Sequence, residues 1–131
     1  MKIVVAIDSL KGSLTSIQAG EAIEKGIKKV DLEAEVVIKP LADGGEGCLD
    51  AQTAMGKAPI GVAKLAKKYG KLGFSGAVTK GATACNEAGI DAYFPIVRSA
   101  VSLEDAMKKK NAQENLIDTV EQVFRVIKAL K

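Results

Sequence analysis

Histidine is absent from this 131-residue chain, as is tryptophan, and only two cysteines occur. Each scarcity closes off chemistry. Without imidazole there is no histidine general base, no Ser-His-Asp triad and little scope for a zinc site. Cys48 and Cys85 lack CxxC spacing, so they read as free thiols of a reducing cytosol rather than as a disulfide or redox pair. Aromatic residues make up 4% of the chain, so the core has to come from Val, Ile, Leu and Ala. No apolar run approaches the roughly 20 residues of a membrane span. The N-terminal apolar stretch is too short for a signal peptide, and Asp8 interrupts it. A net charge of +3, with basic and acidic residues mixed, does not point to nucleic acid. A cytoplasmic protein with no nucleic-acid and no membrane partner is the expectation. No GxxxxGK followed by Ser or Thr is present, and no GxGxxG follows the first strand, so P-loop and dinucleotide fingerprints are both missing.

What remains is enough for a fold. Hydrophobic residues make up 47% of the chain, so an ordered core is expected. Residues 3–7 form a short β-branched run of the kind found in strands buried on both faces. Thr15 and Gln18 have the spacing of a capping box, and Ile17, Ala19, Ala22, Ile23, Ile27 and Val30 then mark a helix stripe. Residues 34–38 read as a second strand, stopped by Pro40. Pro59 suits the first turn of a helix that carries Ile60, Val62, Ala63, Leu65, Ala66 and Tyr69, with Gly70 as its cap. A strand is expected over 72–78, weakened by Gly73 and Gly76, then a helix over 81–88 and a strand over 90–96. Ser102 and Asp105 form a capping pair. The last helix places Leu116, Val120, Val123, Phe124, Ile127 and Leu130 on one face. Alternating strands and helices predict an α/β domain, a three-layer, flavodoxin-like arrangement around a mostly parallel sheet of about four strands.

Two loops carry the candidate chemistry. Leu41-Ala42-Asp43-Gly44-Gly45-Glu46-Gly47 follows the second strand and packs carboxylates among glycines. Gly44 and Gly45 let backbone N–H groups approach a ligand, and Asp43 and Glu46 suit a hard cation such as Mg2+. Asp8-Ser9-Leu10-Lys11-Gly12-Ser13 follows the first strand. In a parallel βαβ unit these loops lie side by side, where open α/β sheets bind ligands. Lys11 then suits transferring phosphate oxygens, and Asp8 suits a base or a metal ligand. Thr53 and Lys57 are further phosphate candidates. Each motif taken alone also fits a plain turn, helix cap or connector. Residues 79–82 offer backbone amides at a helix start, Cys85 reads as packing, and Asn86 and Glu87 read as surface residues.

Four stretches together resemble the bacterial glycerate 2-kinase family: residues 1–14, residues 41–47, residues 52–63 beginning Gln52-Thr53-Ala54-Met55-Gly56-Lys57, and Cys85-Asn86-Glu87-Ala88-Gly89-Ile90-Asp91-Ala92. In that family the first two signatures lie near the N-terminus and the last two near the C-terminus, with a large middle portion between them. The resemblance therefore implies one flavodoxin-like domain over 1–131, made of the family's N-terminal part (about 1–51) joined to its C-terminal part (about 52–131). The acidic excess before residue 50 and the basic excess after it fit such a joint, whose cleanness favours a deliberate excision. The implied activity is ATP- and Mg2+-dependent phosphorylation of D-glycerate to 2-phosphoglycerate. The implied catalytic residues are Asp8, Lys11, Asp43 and Glu46. Ser9, Ser13, Gly44, Gly45, Thr53 and Lys57 contact substrate or phosphate, and Asp43 holds Mg2+. The family's site lies between two domains, so a chain lacking one of them is expected to be catalytically incompetent unless the missing domain is supplied in trans. The alternative is a non-catalytic small α/β domain, or an engineered scaffold, that retains only anion or nucleotide binding. A flavodoxin fits poorly, because the first loop lacks the hydroxyl run a flavin phosphate needs.

Overall fold

The computed structural model describes residues 1–7, 10, 12–40, 48–49 and 70–131. The chain opens with a strand β1 (Lys2–Ile7), a helix α1 (Ser16–Lys28) and a strand β2 (Glu35–Pro40). β1 and β2 are parallel, in register from Lys2 against Glu35 to Ile7 against Pro40. The capping box forms as expected: the Gln18 amide donates to Thr15 Oγ1 at 3.1 Å, and the Thr15 amide donates to Gln18 Oε1 at 3.0 Å. Such a cap stabilises a helix by about 1 kcal/mol. α1 buries Ala19, Gly20, Ala22, Ile23, Gly26 and Ile27. The small residues set how closely it packs. A Cβ on Gly20 would stand 2.6 Å from Ile38 Cγ2, and one on Gly26 would stand 2.8 Å from both the Ile117 carbonyl and Val120 Cβ.

Two expectations about this unit are corrected. Ile17 is 58% exposed, because it falls on the side of α1 away from the buried set. β1 is not buried on both faces: Ile3, Val5 and Ile7 join the core, whereas Val4 on the other face is 60% exposed. A strand alternates its side chains, and α1 covers only one side of the pair.

The later elements are β3 (Cys48–Leu49), β4 (Leu72–Ser75), β5 (Ala77–Val78), a 3-10 turn (Lys80–Thr83) running into α2 (Ala84–Glu87), β6 (Ala92–Pro95), α3 (Leu103–Met107) and α4 (Lys109–Ala129). β3 pairs with β5 and β4 with β6, both parallel. The chain is thus α/β with parallel ladders throughout the described residues. Those ladders are three two-stranded pairs, where one sheet of about four strands was expected. Gly76 supplies one break. The expected strand over 72–78 bends there, and its two pieces pair with different partners. The expected helix over 81–88 is α-helical only at Ala84–Glu87, after the tighter turn at its start. The helix expected from Pro59 lies outside the described residues.

α4 is the longest element. Leu116, Val120 and Phe124 are buried, with Val123 and Ile127 partly so. Leu130 is corrected: it caps the helix beyond its last turn and is 82% exposed. α4 packs along α1, and the main core joins Val5, Leu14 and Ile27 from the first part of the chain to Ile96, Leu116 and Phe124 from the last. Phe74 adds to this core and stacks on Phe94, with centroids 5.6 Å apart. Among the described residues no helix is long and apolar enough to cross a membrane.

Two substitutions test this packing. Leu116→Ala empties a site that is 1% exposed, and is expected to destabilise by about 2–5 kcal/mol. Gly26→Ala gains about 1 kcal/mol of helix propensity, but drives a methyl group into backbone and a β-branched side chain that cannot swing away. Overpacking of that kind costs about 1–3 kcal/mol, so a net loss of stability is expected. Urea unfolding midpoints measure both; a stabilised Gly26→Ala would contradict the close contact of α1 with α4.

Candidate functional site

The register of β1 against β2 sets the geometry of the candidate site. Ile7 and Pro40 are partners at the same end of a parallel ladder. The chain therefore leaves both strands from one edge, with starting points about 4.8 Å apart. The loops that continue from these ends carry most of the candidate residues. Asp8, Ser9 and Lys11 after β1, and Asp43, Gly44, Gly45 and Glu46 after β2, lie outside the described residues, as do Thr53 and Lys57.

Ser13 is the candidate that the structure places. It stands in a tight turn closed by an antiparallel bridge between Leu10 and Leu14. The Leu10 amide donates to the Leu14 carbonyl at 2.9 Å, and the Ser13 amide donates to the Leu10 carbonyl at 2.8 Å. Gly12 turns the chain with φ +78°, in the left-handed region where glycine is favoured. Leu14 anchors the turn by burial in the main core. The Ser13 hydroxyl is shielded from solvent and finds no hydrogen-bond partner among the described residues. An unsatisfied buried hydroxyl is worth about 1–3 kcal/mol to whatever pairs with it. Such a donor, six residues along the chain from the end of β1, fits an anionic ligand oxygen. Asp8, Asp43 and Glu46, outside the described residues, are all carboxylates, the ligand type that a hard cation takes. Among the described residues no cluster of three His, Cys, Asp or Glu suited to a metal occurs.

The other side of this turn is covered from far along the chain. A Cβ on Gly12 would stand 2.6 Å from Met107 Cε, so the end of α3 rests on the turn. α3 is itself well fixed. The Asp105 amide donates to Ser102 Oγ at 3.1 Å, as the capping pair implied, and Asn111 Nδ2 donates to the Asp105 carbonyl at 2.8 Å. Lys108 Nζ stands 3.0 Å from the Asp105 carboxylate, which holds that carboxyl below its ordinary range, with the Ser102 hydroxyl adding to the effect. The sequence indicated the cap but gave no sign of the Met107 contact, since nothing in a pattern pairs residues so far apart.

The remaining motifs prove structural. Thr79 precedes a 3-10 turn and a four-residue helix, too short for an aligned dipole to gather an anion. Cys85 is buried and packed against Ile90, in agreement with the packing role expected of it. Asn86 does more than decorate the surface: its Nδ2 donates to the carbonyls of Ile90 and Asp91 at 3.0 and 3.4 Å, clamping the turn into β6. The three lysines at 108–110 are exposed, as a solvated helix end should be.

A family model described as the glycerate kinase family matches residues 3–51 and residues 45–128. A glycerate kinase of Bacillus subtilis (strain 168) is 40% identical over 122 residues, covering 90% of this chain and 31% of that protein. One from Haemophilus influenzae is 36% identical over 121 residues, covering 87% and 30%. A glycerate 2-kinase of Escherichia coli (strain K12) is 37% identical over 95 residues, covering 68% and 25%. The chain thus spans less than a third of the length of the curated relatives it matches.

The turn that carries Ser13 gives a direct check on this geometry. Gly12→Ala is expected to destabilise by about 1–2 kcal/mol, from the left-handed backbone alone. Adding Met107→Ala removes the steric contact and leaves the backbone strain. A double variant as stable as Met107→Ala alone would contradict the positive φ.

Proposed function

The chain belongs to the glycerate kinase family, and we propose that it is one flavodoxin-like domain of such an enzyme, supplying one wall of a site for ATP-dependent phosphorylation of D-glycerate to 2-phosphoglycerate. The pairing of Ile7 with Pro40 carries this reading, because it starts both signature loops from one edge of the β1–β2 ladder. The domain combines the family's N-terminal part (about 1–51) with its C-terminal part (about 52–131). The two matched stretches of the family model, which meet at residues 45–51, support that division, as does a core drawn from both parts of the chain. It works in the cytoplasm.

In this reading the 2-hydroxyl of D-glycerate attacks the γ-phosphorus of ATP, the bond to the bridging oxygen of ADP breaks, and the hydroxyl proton passes to a carboxylate. Asp8 and Glu46 are the carboxylates to which this reading assigns that role. Asp43 would hold Mg2+, which would neutralise charge on the phosphate oxygens. Lys11 offsets charge on the transferring group. Ser9, Ser13, Thr53 and Lys57 hold phosphate or substrate oxygens, and Gly44 and Gly45 let backbone amides approach them.

Phosphoryl transfer rests on positioning and charge stabilisation. One wall cannot exclude water or clamp two substrates. These residues by themselves are therefore catalytically incompetent, and completing the catalytic apparatus takes a second domain. A second reading, an α/β domain that binds anions or nucleotides without catalysis, draws support from the small share of each relative that the chain spans.

ADP release with MgATP and D-glycerate, beside an Asp43→Asn control, tests the proposal. The chain alone is expected to release no more than the control. Saturable, Mg2+-dependent binding of ATP or glycerate is expected to survive in the wild type and to be lost in Asp43→Asn. Turnover near that of an intact family member would overturn the incompetence; binding indifferent to Asp43 would overturn the site.

A further inference from the structure

We propose that the cleft between the C-terminal ends of α1 and α4 binds a phosphate-type dianion, at the end of the β1–β2 pair away from Ile7 and Pro40 and independently of the kinase reading. The cleft has a volume of about 310 Å³ and is lined by Lys29, Val30, Arg125, Lys128 and Ala129. That is at the small end of the range for ligand sites, about 300–1,000 Å³. Its position follows from the packing. Gly26 lies against Ile117 and Val120, Lys29 reaches Glu121, and Lys128 reaches Val30, so the two helices run parallel and finish together. α1 runs back along the strands from the Ile7 end. Its last turn therefore lies near the start of the β1–β2 pair, where the Glu35 amide donates to the Met1 carbonyl at 2.8 Å.

The charges there do not balance. Lys29 and Arg125 share one carboxylate, Glu121, at 3.8 and 2.9 Å. Lys128 Nζ rests on the Val30 carbonyl at 3.4 Å. Each helix C-terminus adds about half a negative charge. Among the groups in these contacts, three cations against one carboxylate and two such termini leave roughly one positive charge. Arg125 engages Glu121 through Nε, which keeps its terminal guanidinium nitrogens as donors beside two ammonium groups. A planar fork with two point charges matches an oxyanion carrying more than one negative charge. Glu121 holds the cations in place and competes with the ligand for them.

The test uses the full chain in Mg2+-free buffer at fixed ionic strength, with inorganic pyrophosphate as the soluble probe and phosphatidic acid vesicles as a headgroup probe. Backbone amide shifts of residues 28–31 and 124–130 are expected to move and saturate. The triple variant Lys29→Gln, Arg125→Gln, Lys128→Gln should weaken binding at least tenfold. Glu121→Gln should tighten it severalfold, an effect that a merely structural ion pair does not produce. Asp43→Asn should leave it unchanged, which separates this site from the kinase loops. Saturation by pyrophosphate names a free phosphate compound as the ligand, and binding to vesicles alone names a lipid headgroup. Binding in neither arm, shifts spread over all lysines, or weaker binding in Glu121→Gln would overturn the proposal.

Discussion

Parallel pairing of β1 with β2 is the constraint from which the rest of the structure follows. Two parallel strands cannot be joined by a hairpin, so the chain has to cross back over the sheet, and α1 is that crossover. The crossover covers one face of the pair, and this decides which residues of β1 are buried. It also returns the chain so that Ile7 and Pro40 finish side by side. The loops that carry the candidate residues begin there. Local chemistry thus sets where both loops start: a capping box starts the helix at the right residue, and the strand register aligns the two exits.

The second constraint is close approach. α1 is held between β2 and α4, and its glycines are what permit both contacts. Because α4 comes from the last part of the chain, this packing ties that part to the βα unit at the start. α3 adds a second tie at the turn that holds Ser13. The chain covers less than a third of its curated relatives, yet it draws a shared core from both of its ends.

Local signals were legible in the sequence, and non-local ones were not. The Thr15–Gln18 box and the Ser102–Asp105 cap depend on neighbours three residues apart, and both form as read. The stripe of α4 is periodic and mostly correct. It fails at Leu130, where the helix has already ended. Exposure of Val4 and Ile17 depends on what lies across from them, which periodicity does not contain. Gly76 was recognised as a weak point in a strand, but a change of pairing partner at that point leaves no local trace. In the candidate site the residue types were visible as loops rich in Asp, Lys and Gly. The Met107 contact with Gly12 and the Asn86 clamp were not, because they join residues with no shared pattern.

In the proposed function one edge of the β1–β2 pair brings two separate loops to a common cation and phosphate site. Titration with Mn2+ in place of Mg2+, read by paramagnetic broadening of backbone amides, tests it most directly. The account predicts that amides near Ile7 and Ser13 and the Lys39 amide beside Pro40 broaden together at low Mn2+, and that Asp43→Asn abolishes both effects. Broadening on one flank alone, or broadening that survives Asp43→Asn, would contradict it.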